Sequence, residues 1–233
     1  MKIRYGALFA DAAAMWRRSS ELLLTLAGVF TFLPVFAVQL FVPMPPANVP
    51  DTALFDVLVR WYAQNGLWLG GAMLVQLFGA AATLALLLDP ARPTVAEAMR
   101  RVTRVAPALL LGGLVSLALA GLGAALFVLP GLYALGRCYL VWAVAVAEPQ
   151  RAPVEAVAEA LKRTRRHGWI LTAVMLSVLM PAYVLADIFA APASASAFTQ
   201  ALSGLLIALL SAAAGIAQML LQAAAYRALS KGI

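Results

Sequence analysis

Arg137 is the one charged residue between Val105 and Ala147. A guanidinium held at mid-helix in hydrocarbon costs about 2.5–3.5 kcal/mol on insertion scales, so it needs a reason to be there. One reason is chemical: a cation that binds a lipid headgroup or lines a transport pathway. The other is structural: a paired or snorkelling arginine that fixes helix packing. The structural reading is preferred. Asp187, the one acid inside an apolar run, is the nearest candidate partner in depth. Gln76 and Gln218 complete a candidate intramembrane polar site with Arg137 and Asp187, and Gln222 is a further amide. Such amides either hydrogen-bond between helices or line a polar cleft, and packing is the preferred role. Glu148 and Arg227 each close an apolar run on the same side and form a candidate helix-end pair, with two solvated charges as the equal alternative. His167 follows a basic run and reads as an interfacial anchor. Cys138 reads as core packing.

These residue types do not assemble into a catalytic set. The chain has one histidine and one cysteine, so neither a paired-histidine metal site nor a disulfide is expected. There is no Gly-x-Ser-x-Gly, no phosphate-cradling glycine loop and no carboxylate pair within an apolar run. No enzyme activity, metal or cofactor is expected.

The elements that must hold these residues follow from composition. Charged residues make up 12% and hydrophobic residues 64% of the 233. A soluble domain carries roughly 25% charged residues, so most of this surface must face lipid. A spanning helix needs about 20 apolar residues. The charge-free runs supply six, at about 22–42, 66–88, 105–128, 131–147, 168–189 and 201–225. Pro43, Pro45, Pro46 and Pro50 close the first, Pro130-Gly131 splits the third from the fourth, and Pro181 should kink the fifth. The fold expected is an all-α polytopic membrane bundle in one domain. The N-terminal segment is not patterned as a cleaved signal peptide.

Orientation comes from the basic residues. All 17 except Arg60 and Arg137 fall before span one, between spans two and three, between spans four and five, or after span six. That side should be cytoplasmic, with both ends of the chain on it. The net charge of +7 then reflects orientation and attraction to anionic lipid. Nucleic acid is not expected as a partner.

The connections on that side repeat a pattern. Asp89-Pro-Ala-Arg leads to Glu97-Ala-Met-Arg-Arg, and Glu148-Pro-Gln-Arg leads to Glu159-Ala-Leu-Lys-Arg. Asp11-Ala-Ala-Ala-Met-Trp-Arg-Arg is a looser copy. Each reads as a short amphipathic helix lying in the interface, so the chain becomes three hairpins, each introduced by such a helix. Val95, Ala98, Met99 and Val102 share one apolar face; Val154, Val157, Ala158 and Leu161 share another. Thr94 and Glu97 have capping-box spacing. Arg100, Arg101, Arg104, Lys162, Arg163, Arg165 and Arg166 are the candidate contacts to anionic lipid. On the other side, Leu54, Phe55, Leu58, Trp61 and Tyr62 share a face, with the two rings at headgroup depth. Small-residue stripes at Gly112, Ser116, Ala120 and Ala124, at Gly204, Ala208 and Ala212, and at Gly66 and Gly70 allow close helix contact, within the bundle or in a homo-oligomer.

Leu126-Phe-Val-Leu-Pro-Gly-Leu-Tyr, then Arg137, then Val144-Ala-Val-Ala-Glu148, then Val157-Ala-Glu-Ala-Leu-Lys-Arg-Thr-Arg, resembles the central signature of the YciC-type bacterial inner-membrane proteins. The same signature is similar to that of the membrane domain associated with glycerophosphoryl diester phosphodiesterases. The likeness covers about residues 120–170 and implies a plasma-membrane protein of unassigned activity. It implies no phosphodiesterase chemistry, which belongs to a soluble domain this chain lacks. The expectation is a non-enzymatic protein of the bacterial inner membrane that engages lipids or a membrane partner through basic interfacial helices. The alternative is a small transporter or permease component with a polar cleft near Arg137.

Overall fold

The chain is helical throughout the described residues, with no strand. The computed structural model describes residues 5–43, 50–89, 91, 93–126, 128–192 and 194–230. In hydrocarbon a backbone must satisfy its own hydrogen bonds, and a helix does so within one segment. Helix α1 (Tyr5–Ala27) passes through a π-helical turn (Gly28–Phe32) into α2 (Leu33–Phe41). Then come α3 (Asp51–Leu88), α4 (Val95–Leu126), α5 (Val128–Cys138), α6 (Val141–Ala147), α7 (Pro153–Thr164), α8 (Gly168–Phe189) and α9 (Ala197–Ser230). Six stretches are long and apolar enough to cross a membrane: Tyr5–Phe41, Phe55–Leu88, Val95–Gly123, Leu129–Ala147, Gly168–Phe189 and Ala197–Ser230. This number is the one expected and is consistent with an integral membrane protein.

The connections differ from expectation. α7 is a separate helix, but the first turns of α4 run straight on into the long apolar helix. In α1 the lead-in is marked off by Ser19, whose φ of −141° and ψ of 20° are not helical. The expected apolar faces are buried only in part: Val95, Val154 and Ala158 are exposed. Leu8, Ala12 and Met15, Ala98 and Val102, and Ala156, Val157 and Ala160 are buried in the bundle's own core rather than laid on lipid. Segment 51–62 likewise continues without interruption into α3.

Local signals explain several boundaries. Thr94 and Glu97 close the capping box: the Thr94 N–H donates to the Glu97 carboxylate at 2.8 Å, and the Glu97 N–H donates to the Thr94 hydroxyl at 3.3 Å. Pro130 sits in the first turn of α5, where its missing N–H leaves no intrahelical bond unmade. Pro130-Gly131, the expected split, therefore lies inside α5. α8 runs unbroken through Pro181. A second break, at Tyr139 and Leu140, divides the fourth span and was not foreseen.

Packing is unequal along the bundle. α6 is the pivot: Val141, Ala143, Val144, Ala145 and Val146 are all buried, so the helix is enclosed on every side. It packs against α3, α4 and α7 and touches α9. Around it lie the fully buried Leu84, Val102, Leu109, Leu171 and Val174. Toward the other end the helices splay, and Leu67, Met73, Leu114, Leu117, Leu122, Tyr183 and Ile188 face outward.

Small residues set the close contacts within the chain. A Cβ on Gly112 would lie 2.4 Å from Val141 Cγ1, so this stripe serves the contact with α6. Gly204, Ala208 and Ala212 are buried too, whereas Gly66 and Gly70 have open space around them. The side chains of Ala120 and Ala124 lie outside the described set. At Gly79 a Cβ would lie 2.1 Å from the Phe30 Cβ of the π-helical turn. Gly79→Ala should therefore destabilise the protein by about 1–3 kcal/mol through overpacking. Gly113→Ala, with nothing within 4 Å, should be neutral or slightly stabilising. Thermal unfolding of the two variants in detergent checks this contrast.

Candidate functional site

Arg137 is held by its own chain. It ends α5, and its side chain reaches the last turn of α7. Nη2 donates to the Leu161 carbonyl at 2.5 Å and Nε to the Thr164 hydroxyl at 3.2 Å, with Nη1 3.5 Å from the Tyr133 hydroxyl. Thr164, fully buried, lies within hydrogen-bond range of the Arg137 carbonyl at 2.8 Å. The guanidinium caps the Leu161 carbonyl in the last turn of α7, where a helix favours a cation. This is the structural role, but the expected partner is wrong. Gly168, the first residue of α8, lies against Tyr133 and Arg137, while Asp187 is in the last turn of α8. At 1.5 Å per residue that is about 28 Å along the helix. The error came from measuring depth along one uninterrupted span. The break at Tyr139 and Leu140, and α7 folding back onto α5, put Arg137 at the opposite end from Asp187.

The second expected pair is also replaced. Glu148 follows α6 and forms ion pairs with Arg151 and with Arg163, the latter at 2.7 Å, and it accepts the Tyr226 hydroxyl at 2.8 Å. Arg163 also holds Glu159 at 2.8 Å and lies over the Tyr226 ring, 5.5 Å from its centre. Arg227 instead donates to the Leu87 carbonyl and caps α3. Adjacent helix positions point about 100° apart, so Tyr226 and Arg227 cannot both face Glu148. Sequence reasoning missed Tyr226 and Glu159 as members of this cluster. The spacing of Glu159 and Arg163, four apart on one helix, was the signal available for one of them. Partial burial raises the Glu148 pKa, but hydrogen bonds from Arg151 and Tyr226 and the Arg163 charge outweigh it and hold the carboxyl below its ordinary value.

The candidate lipid contacts divide. Arg100, Arg104, Lys162, Arg165 and Arg166 are exposed. Arg163 is not free for lipid, since its side chain is only 9% exposed inside the Glu148 cluster. Arg101 is tied to Asp89 at 2.5 Å, where the Ala91 N–H and then Arg101 hold Asp89 below its ordinary value against partial burial.

Gln76 and Gln218 line one cavity of about 820 Å³, bordered chiefly by the π-helical turn, α3, α4, α8 and α9. Gln218 is buried; it accepts the Tyr139 hydroxyl at 2.8 Å and donates to the Met175 carbonyl at 2.8 Å. Arg137 and Asp187 do not line this cavity, so the expected four-residue site comes apart. A polar cleft near Arg137, which the transporter alternative requires, is not formed by these residues. Thr31, Thr83, Ser211, Tyr183 and Trp142 also line it, and no acid, base or thiol among the described residues does. Among the described residues no three of His, Cys, Asp and Glu come together to hold a metal. Cys138 is buried, and His167 is the residue preceding α8.

No protein-family model matches the chain, and no curated protein or solved structure matches it.

The Glu148 cluster makes stability depend on pH with a definite sign. Because the folded-state pKa is lowered, the contribution is complete above the ordinary value of 4.5 and is lost as pH falls through the lowered value. The melting temperature should be level from neutral pH to about pH 5 and drop below that; Glu148→Gln should flatten this acid limb. At neutral pH, Glu148→Ala should cost about 3 kcal/mol, because Arg163 loses a partner while buried. Unfolding followed across pH in detergent measures both effects.

Proposed function

We propose that this chain is a non-enzymatic integral protein of the bacterial inner membrane whose basic end engages anionic lipid headgroups. The observation that carries the reading is the gathering, at one end of the bundle, of exposed cations that form no ion pair among the described residues. Arg100 and Arg104 on the first turns of α4 and Lys162, Arg165 and Arg166 at the end of α7 are exposed, and α4 packs against α7. Arg17 and Arg18, just before the Ser19 bend, are exposed as well. Each basic residue near an anionic surface contributes about 1 kcal/mol of attraction. In this reading the basic end is cytoplasmic, and the chain is three hairpins, each led in by an amphipathic segment. The likeness of residues 126–165 to the YciC-type signature supports the same assignment.

Purified protein should carry phosphatidylglycerol or cardiolipin through detergent extraction. Replacing Arg100, Arg104, Lys162, Arg165 and Arg166 together with glutamine should remove most of it and leave the melting temperature nearly unchanged. Raised salt should weaken the interaction, since these charges are exposed. Quantifying phospholipid in purified wild type and variant decides the matter: equal anionic lipid on both sinks the proposal.

A further inference from the structure

The 820 Å³ cavity is within the volume range of small-molecule sites, roughly 300–1,000 Å³. Its position says what reaches it. Among the described residues no extensive interface joins α8 to α3 or to α4. Leu110, Leu114 and Leu117 on α4 and Leu179 and Tyr183 on α8 border the gap, and all are exposed. These are mid-helix positions, so the mouth opens sideways, toward hydrocarbon, away from both helix ends. A ligand arriving by this route is lipid-soluble.

The lining says what the ligand carries. It is apolar over most of its area, yet several side chains on it keep hydrogen-bonding capacity. Gln76, Thr31, Tyr183 and Trp142 make no side-chain hydrogen bond among the described residues. The Gln76 amide can donate and accept, and the Trp142 N–H can only donate. Gln76 is half-buried, and an amide without a protein partner beside so much apolar surface favours an occupant that meets it. No lysine, arginine or histidine among the described residues lines the wall, so a phosphate placed here would be uncompensated in a low-dielectric space. Thr31 lies in the π-helical turn, a distortion that recurs at functional sites in helices.

We infer that this cavity is a lateral binding site for an uncharged lipid with a small hydrogen-bonding head, of the acylglycerol class, with its chain among the leucines and its hydroxyl or ester oxygens at Gln76. This site is separate from the basic end: the cavity selects against charge where the exposed arginines select for it.

The test uses the full chain with Arg100, Arg104, Lys162, Arg165 and Arg166 replaced by glutamine, so that the basic end does not retain the anionic probe, in nanodiscs of neutral phospholipid with two fluorescent probes of the same acyl chains, a diacylglycerol and the corresponding phosphatidic acid. The diacylglycerol should bind saturably and at least tenfold more tightly than the phosphatidic acid. Gly113 lines the cavity, and its Cβ position has nothing within 4 Å. Gly113→Trp should therefore fill the space and cut diacylglycerol binding at least tenfold. Gln76→Leu keeps the volume and removes the amide, so it should weaken diacylglycerol about three- to tenfold. Equal affinity for the two probes overturns the proposal, as does Gln76→Leu binding like the protein that keeps Gln76. If Gly113→Trp fails to fold, Gln76→Leu and the ratio of the two probes still decide it.

Discussion

The carboxylate of Glu148 is the junction on which the basic end depends. It stands where α6, enclosed on every side, gives way to the loop before α7. A charge there must be compensated as the helices close around it, since an unpaired ion in a poorly hydrated place costs several kcal/mol. Arg163 brings α7 to it, and Tyr226 brings α9. One acid thereby sets the relative positions of three elements that share no local sequence. Arg137 does the same at one remove, with its side chain on the last carbonyls of α7 and its own carbonyl beside Thr164. Through these contacts both arginines orient helices.

That clamp accounts for the unequal packing. With α6 and α7 fixed inside one end, small and branched residues from α3, α4, α8 and α9 fill the space around them. α6 begins at Val141, after the break at Tyr139 and Leu140, and its Trp142 lines the cavity that lies among the π-helical turn, α3, α4, α8 and α9. In water such an apolar void between splayed helices would collapse or attract aggregation. In a bilayer, lipid is no worse a solvent for leucine than protein is, so the open half carries no comparable penalty.

Two kinds of chemistry are thus separated along one molecule. Charged groups are concentrated at the end where α4 begins and α7 lies, some locked into pairs and some exposed. The cavity holds amides and hydroxyls and no charge among the described residues. The separation follows from solvation: exposed cations are tolerated near water and headgroups, whereas only neutral hydrogen-bonding groups are cheap at depth.

The amino-acid sequence by itself determined the all-helical class and the number of apolar spans, because hydrophobic run length and proline breaks are local properties of the chain. It also determined the capping box at Thr94 and Glu97, whose partners are three residues apart. That Gln76 and Gln218 line one cavity was legible only as residue type, because amides at depth must find partners or a cleft. Apart from Glu159 and Arg163, four apart on one helix, which charges would pair was decided by tertiary structure. Arg137 faces α7 rather than Asp187 because the fourth span breaks at Tyr139 and Leu140 and α7 folds back on it. Glu148 meets Tyr226 rather than Arg227 because helix phase selects one of two neighbours. The apolar faces of the lead-in segments turned to protein instead of lipid because a bundle core and a bilayer demand the same residues. A sequence records that a face is apolar; only the packed fold decides what covers it.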